Sequence, residues 1–331
     1  MYQPIKKGLL PILIFILIFS IIIATMIGQV SIPFDTVLKS IFHLEDVTQS
    51  YSIIIWQLRL PRIFIAVLAG MALAGAGTAM QGIFRNPMAD PYIIGISSGA
   101  AFGASLAIVM NCGEYTITLF AFIFGVITAF TVYKIATKNR ITPVETLLLS
   151  GIAISAFLTA LLSFIMYMHL GDAQTSQIFM WIMGSLANRN WIQVLIAFPI
   201  ISICSLLLFR YAKDLDLLLL GEEQAEHLGL DSEKSKKIIL FLSAIITATA
   251  VSVCGIIGFV GLIIPHIMRM FVGPSHKILL PASIFTGAIF LLWMDTTARI
   301  INPPSEIPVG ILTAICGAPF FIYLLVTRRR F

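Results

Sequence analysis

The chain has 331 residues, of which 59% are hydrophobic and only 11% charged, with a net charge of +5 and a mean hydropathy of +0.99. A soluble domain carries about 25% charged residues, so this chain lacks the polar surface to face water all round. Soluble enzymes and nucleic-acid-binding domains are thereby excluded, and a helical protein crossing a bilayer many times is indicated.

A crossing helix needs about 20 apolar residues, and charges mark where such runs break. The first uncharged run covers 8–34, behind Lys6 and Lys7. Its 27 residues exceed a signal-peptide core, and no small-x-small cleavage site closes it, so it reads as a first span. Further runs lie at 63–84, 91–113, 115–133, 146–171, 190–209, 278–294 and 307–327. The run 238–268, at 31 residues, is long for one helix and short for two full ones; Gly255, Gly258 and Gly261 sit in its middle. Two short helices turning near Cys254–Ile257 make ten spans with both termini inside. Lys and Arg concentrate on the cytoplasmic side of membrane proteins; ten spans place 16 of them inside and 5 outside, whereas a single helix at 238–268 gives 12 against 9. The expected fold is therefore all-α and polytopic, with residues 1–331 forming one transmembrane domain. Its net charge is mostly cytoplasmic.

Small residues are dense in the spans, as in Ala69–Gly77 and at Gly95, Gly99 and Gly103, which reads as close helix packing. Arg85-Asn86-Pro87 is a turn signal closing the second span, with Asp90 a possible partner of Arg85. Pro265-His266-Ile267-Met268-Arg269 reads as the inner end of the eighth span, with His266 capping or packing there. Cys112, Cys204, Cys254 and Cys316 share no CxxC spacing, so neither a metal-ligand set nor a disulfide framework is expected. No GxxxxGK[ST], HExxH or GxSxG pattern occurs.

Three regions carry more than span-forming residues. Arg59, Arg62 and Arg299 fall on the outer face at span ends, where snorkelling at the interface is one reading. Ile178–Leu186 is an amphipathic stretch bounded by Asp172 and Arg189; Trp181 and Trp191 suit headgroup anchors there. Ser150, Ser155, Thr159 and Ser163 give the fifth span a mildly polar face, although such residues also pack helices in lipid. Asp214–Lys237 is the longest polar segment and lies inside. Gly221 and Gly229 bracket a short helix, Glu222–Leu228, whose acidic start suits the helix dipole. Leu217–Leu220 put four apolar residues in succession on this cytoplasmic loop, which is costly without cover.

Four motifs in order extend over the chain: Leu58-Arg59-Leu60-Pro61-Arg62 leading to Arg85-Asn86-Pro87-Met88-Ala89-Asp90-Pro91 and Ile94–Ala100; Leu219–Leu230; Gly258–Arg269; and Asp295–Arg299 with Glu306–Ala314 and Gly317–Phe321. They closely resemble the FecCD-type permeases of ABC importers, which take up iron–siderophore complexes, haem and vitamin B12. Met88 in place of the usual Leu, and Trp293-Met294-Asp295 where Ala-Asp is common, are small departures. The resemblance implies a type II ABC importer-like subunit of ten helices in the cytoplasmic membrane of a prokaryote. It implies pairing with a second permease subunit, identical or paralogous, two cytoplasmic ATPase subunits and an outer substrate-binding protein. ATP hydrolysis, with ATP and Mg on the partner, would be the partner's work, so no cofactor, metal or catalytic residue of this chain is expected. Arg59, Arg62 and Arg299 would dock the binding protein, since a planar guanidinium grips a carboxylate bidentately. Leu220, Gly221, Glu222, Glu223, Ala225, Leu228 and Gly229 would form the ATPase-coupling surface. Ser155, Thr159, Ser163, Trp181, Gly184 and Ser185 would flank the translocation path. The expected cargo is an iron(III)–siderophore or related metal chelate, with haem, cobalamin and molybdate as alternatives. An ion-coupled secondary transporter is a rival from another class, but such folds place ionisable groups at the midplane, and no span shows a carboxylate near its centre.

Overall fold

The computed structural model describes residues 8–42, 44, 48–169, 171, 173–303 and 305–328. Lys6, Lys7, Asp172, Arg329 and Arg330, which entered the sequence reading, lie outside them. Helices α1 (Leu9–Met26), α2 (Phe34–Ile41) and α3 (Gln49–Ile53) come first, and α3 runs through a π-helical stretch, Ile54–Arg59, into α4 (Leu60–Ile83). A 3₁₀ turn, Pro91–Ile94, introduces α5 (Ile96–Val109), followed by α6 (Glu114–Ala136), α7 (Val144–Met168) and the short α8 (Ala173–Ile182). Next come α9 (Trp191–Arg210), α10 (Ala212–Leu218) and α11 (Glu222–His227). The chain then forms α12 (Ser232–Cys254), α13 (Val260–Val272), α14 (His276–Ile300) and α15 (Val309–Arg328).

Among the described residues, seven helical stretches are long and apolar enough to cross a membrane: α1, the continuous Gln49–Ile83, α6, α7, α9, α12 and α14. Three shorter apolar helices, α5, α13 and α15, correspond to the remaining spans read from the sequence. The long apolar run does break at Gly255, but not into two short helices. α12 recruits the polar residues from Ser232 as its first turn, with Asp231 accepting the Lys234 N–H at 3.0 Å, and its 23 residues reach about 34 Å. Gly255 ends it at φ +72°, where a Cβ would strike the Trp181 carbonyl. Only α13, at 13 residues, is short. It continues to Val272, so His266 lies buried in mid-helix and does not cap an end.

The centre of the bundle is α4 and α12, whose apolar windows are 89% and 78% buried; α7, at 17%, lies at the periphery. The Gly/Ala patch explains why α4 sits there. Gly70 leaves room for nothing but the backbone of Gly287 on α14, and Gly77 likewise meets Gly261 on α13, the close approach small residues permit in lipid. Two stretches that leave the α-helix, 91–95 and 255–259, lie inside this packing. The Tyr92 hydroxyl donates to the Ile257 carbonyl at 2.9 Å, and a Cβ on Gly261 would lie 2.7 Å from Pro91. Irregular backbone at such depth is tolerated because protein, and not lipid, surrounds it.

Candidate functional sites at the two faces

Arg59, Arg62 and Arg299 come together at one end of the bundle, but they do not project as free cations. They are 6%, 8% and 5% exposed. Arg59 closes the π-helical stretch and reaches α1, whose last turn contains no basic residue. Its Nη1 donates to the Thr25 and Met26 carbonyls at 2.6 and 3.1 Å, and its Nη2 to the Val30 carbonyl. Arg299 Nη2 donates to the Ala24 carbonyl at 3.3 Å. Two arginines thus satisfy the carbonyls at the C-terminus of α1, where positive charge is also favoured by the helix dipole. Gly28 completes the fit, since a Cβ there would lie 2.6 Å from Arg59 Nη2.

Arg62 faces the other way. Its Nε and Nη2 grip Asp295 at 2.9 to 3.0 Å, and its Nη1 donates to Glu306 at 2.6 Å. Arg299 Nε lies 3.4 Å from the same Asp295, which is completely buried. Asp295 sits near the outer end of α14, five residues before Ile300, not at mid-span. Three guanidiniums against two carboxylates leave one positive charge. The cleft beside them encloses about 240 Å³ and is lined by Gln29, Leu58 and Glu306 as well as the arginines. The forks expected to grip a partner's carboxylates are engaged within the chain itself. Two larger clefts, of about 400 and 430 Å³, share Met180, Ser185, Asn188 and Arg189, and the first also touches Arg62 and Glu306. Arg189 is pinned to Glu114 at 2.6 Å.

At the opposite end, the segment read as a coupling surface forms two short helices, α10 and α11. Gly221 joins them at φ +113° and ψ 151°, a region essentially closed to residues with a Cβ. Leu218 and Ala225 are buried and anchor the segment, while Leu220 and Leu228 are 54% and 62% exposed, Leu219 is exposed, and Glu223 and Gly229 stand in solvent. Below them, the almost inaccessible Lys236 of α12 pairs with Glu222 at 2.8 Å and Glu233 at 2.5 Å, and donates to the Thr142 carbonyl at 3.1 Å. Ser235 donates to Asp214 at 2.7 Å, and Ser232 to Glu226. The leucines are thus held outward on a rigid polar base. Arg85 lies alongside, its Nη1 3.6 Å from where a Gly221 Cβ would be. Asp90 does not pair with it in this geometry; it accepts the Tyr92 N–H at 2.8 Å.

The FecCD transport family matches residues 16–327. The chain belongs to that family. It is 42% identical to the Fe(3+)-citrate import system permease of Bacillus subtilis, over 98% of this chain and 97% of that one. It is 46% identical to the cobalamin import system permease of Halobacterium salinarum, over 86% and 76%. It is 42% identical to the hemin transport system permease of Yersinia pestis, over 83% of this chain and 84% of that one.

 Among solved structures, an inward-facing metal-chelate type ABC transporter superposes with a TM-score of 0.87 at 36% identity, covering 96% of this chain and 98% of that one. The chain is a multi-pass membrane permease of the ABC importer class.

In this FecCD permease the residues expected along a path fall into separate groups. Ser155 is half-buried about 16 Å along α7, with its Oγ 3.2 Å from where a Gly95 Cβ would lie. Thr159 and Ser163 are exposed, and Ser163 Oγ donates to the Thr159 carbonyl at 2.9 Å. Trp181, Gly184 and Ser185 belong to a junction at the outer end. There Ser185 N–H donates to the Cys254 carbonyl at 2.8 Å, and Gly184 and Gly310 pack against the backbone of Ile256 and Met183. Trp191 is tied into the chain: its Nε1 donates to the Trp56 carbonyl at 2.7 Å, and its ring packs on Phe64. Sequence reasoning missed Asp295 and Glu306 as partners of the arginines. The i, i+4 spacing of Asp295 and Arg299 was the available signal.

Proposed function

We propose that this permease passes a ferric chelate inward, driven by ATP hydrolysed on two separate ATPase subunits, after delivery by an outer binding protein. The observation that carries this reading is the division of labour between the ends. One end holds out Leu219, Leu220 and Leu228 on a pinned base, a surface that needs an apolar partner. The other end has clefts bordered by arginines with an excess of positive charge, which suits acidic groups on a binding protein. Docking would then use the field and shape of these clefts, with Arg59, Arg62 and Arg299 holding their walls. A second permease subunit, identical or paralogous, would pack on this one to complete the path. The near full-length likeness to a ferric citrate permease supports an iron chelate; haem, cobalamin and molybdate are the competing cargoes.

The test is reconstitution of the permease with the ATPase and binding protein that copurify with it. ATP-dependent uptake of a ferric chelate, exceeding that of haem, cobalamin or molybdate, is the expected result. Uptake driven by an ion gradient without ATP would overturn the reading.

A further inference from the structure

α14 starts beside the coupling segment and ends among the outer arginines. Its first residue, His276, is completely buried. The His276 main-chain N–H donates to Asp216 Oδ1 at 2.7 Å, and His276 Nδ1 lies 2.7 Å from the same oxygen. Ser275 Oγ donates to Asp216 Oδ2 at 3.2 Å. Ser275 occupies the N-cap position yet makes no capping bond of its own. The cap of α14 is therefore supplied by a carboxylate from α10, which also complements the helix dipole.

The junction has no slack. A Cβ on Gly82, in the last turn of α4, would lie 2.9 Å from His276 Nε2 and 2.8 Å from a Leu215 methyl. Beyond it, α4 and α14 run side by side with the backbones of Gly70 and Gly287 in contact. Asp295 follows about 28 Å further along α14.

We propose that Asp216 and His276 form the positioning contact through which α10 and α11 move α14, and with it the Arg62–Asp295–Arg299 network at the outer face. This rests on the reading of α10 and α11 as the ATPase-facing segment. Displacement of α11 pulls α10 through Gly221, and α10 carries the start of α14 with it because the cap travels with Asp216. α14 then acts as a rod whose far end alters the outer cleft. Packed elements of this kind transmit motion as discrete rearrangements.

The experiment uses the reconstituted complex and two variants. Asp216→Asn keeps an acceptor for the His276 N–H; Asp216→Ala removes it. The readout is hydrolysis with loaded binding protein divided by hydrolysis without it. Asp216→Ala lowers this ratio at least fivefold while the ATPase still copurifies, and Asp216→Asn stays within twofold of the unsubstituted complex. A second measurement does not depend on turnover. Spin labels at His227→Cys and at Ile301→Cys, both exposed positions, report each end in a cysteine-free background. With Asp216→Ala, ATP still shifts the distances from position 227 but no longer those from position 301. Should Asp216→Ala fail to assemble, Asp216→Ser replaces it, with a loss of at least twofold expected. Unchanged stimulation, or an undiminished response at position 301, overturns the proposal. Failure of the unsubstituted permease to retain any ATPase overturns instead the reading on which it rests.

Discussion

Replacing Asp295 by Asn removes the one completely buried carboxylate from the outer network. Arg62 loses its bidentate carboxylate, because the amide keeps one acceptor oxygen and sets a donor where the other was, and Arg299 loses its charged partner at 3.4 Å. The cluster changes from three positive and two negative groups to three and one. Breaking a buried ion pair by removing one partner costs about 3–5 kcal/mol, because the remaining charge stays buried without compensation. At roughly 2 °C or more per kcal/mol, the apparent melting midpoint of the purified permease falls by about 6 °C or more. The double variant Arg62→Met with Asp295→Asn restores the net charge of one and recovers part of that loss. Scanning fluorimetry in nanodiscs measures both. A midpoint within about 1 °C of the unsubstituted protein for Asp295→Asn, or a double variant less stable than the single one, would refute the reasoning.

Arg59→Ala takes the guanidinium away from the carbonyls of Thr25, Met26 and Val30, of which Met26 keeps the bond from the Ile32 N–H. With hydrogen bonds to charged groups worth about 1.5–3 kcal/mol each, α1 loosens first, and hydrogen exchange at its C-terminal turn accelerates at least tenfold. Lys236→Met leaves Glu222 and Glu233 facing each other without their shared cation; α11 lifts from its base, and ATPase retention on purification drops. The Asp216 carboxyl supplies a pH test. Burial raises its pKa, but the hydrogen bonds and charge of His276 and the bond from Ser275 outweigh this and hold it below the ordinary carboxylate value. A lowered folded-state pKa contributes stability above the unfolded value, about 4, and that contribution is lost as pH falls through the folded value. The stability gap between the unsubstituted protein and Asp216→Ala is thus present at neutral pH and closes in acid; a gap that widened in acid would contradict the assignment.

Much of the bundle was legible because the bilayer imposes a length and a charge rule. The apolar runs located the spans, and the asymmetry of Lys and Arg required a break in the run 238–268, which Gly255 supplies. The pairing of α12 with polar first-turn residues was not legible, since a hydropathy run ends where charge begins but a helix need not. The short helix between Gly221 and Gly229 was readable from its flanking glycines. The burial of Arg59, Arg62 and Arg299 was not, because their partners are carbonyls of α1 and carboxylates more than 230 positions from Arg62, brought there only by the tertiary fold. Asp216 and His276, 60 positions apart, were hidden for the same reason.

The arginine-lined clefts and the leucine-bearing segment are expected to face opposite compartments. Single cysteines placed by Leu58→Cys and Leu228→Cys, at positions 59% and 62% exposed, are challenged in intact cells with a membrane-impermeant maleimide, in a background without the native cysteines. The expected result is labelling at position 58 in intact cells and at position 228 only after permeabilisation. Labelling of both positions from the same side would contradict it.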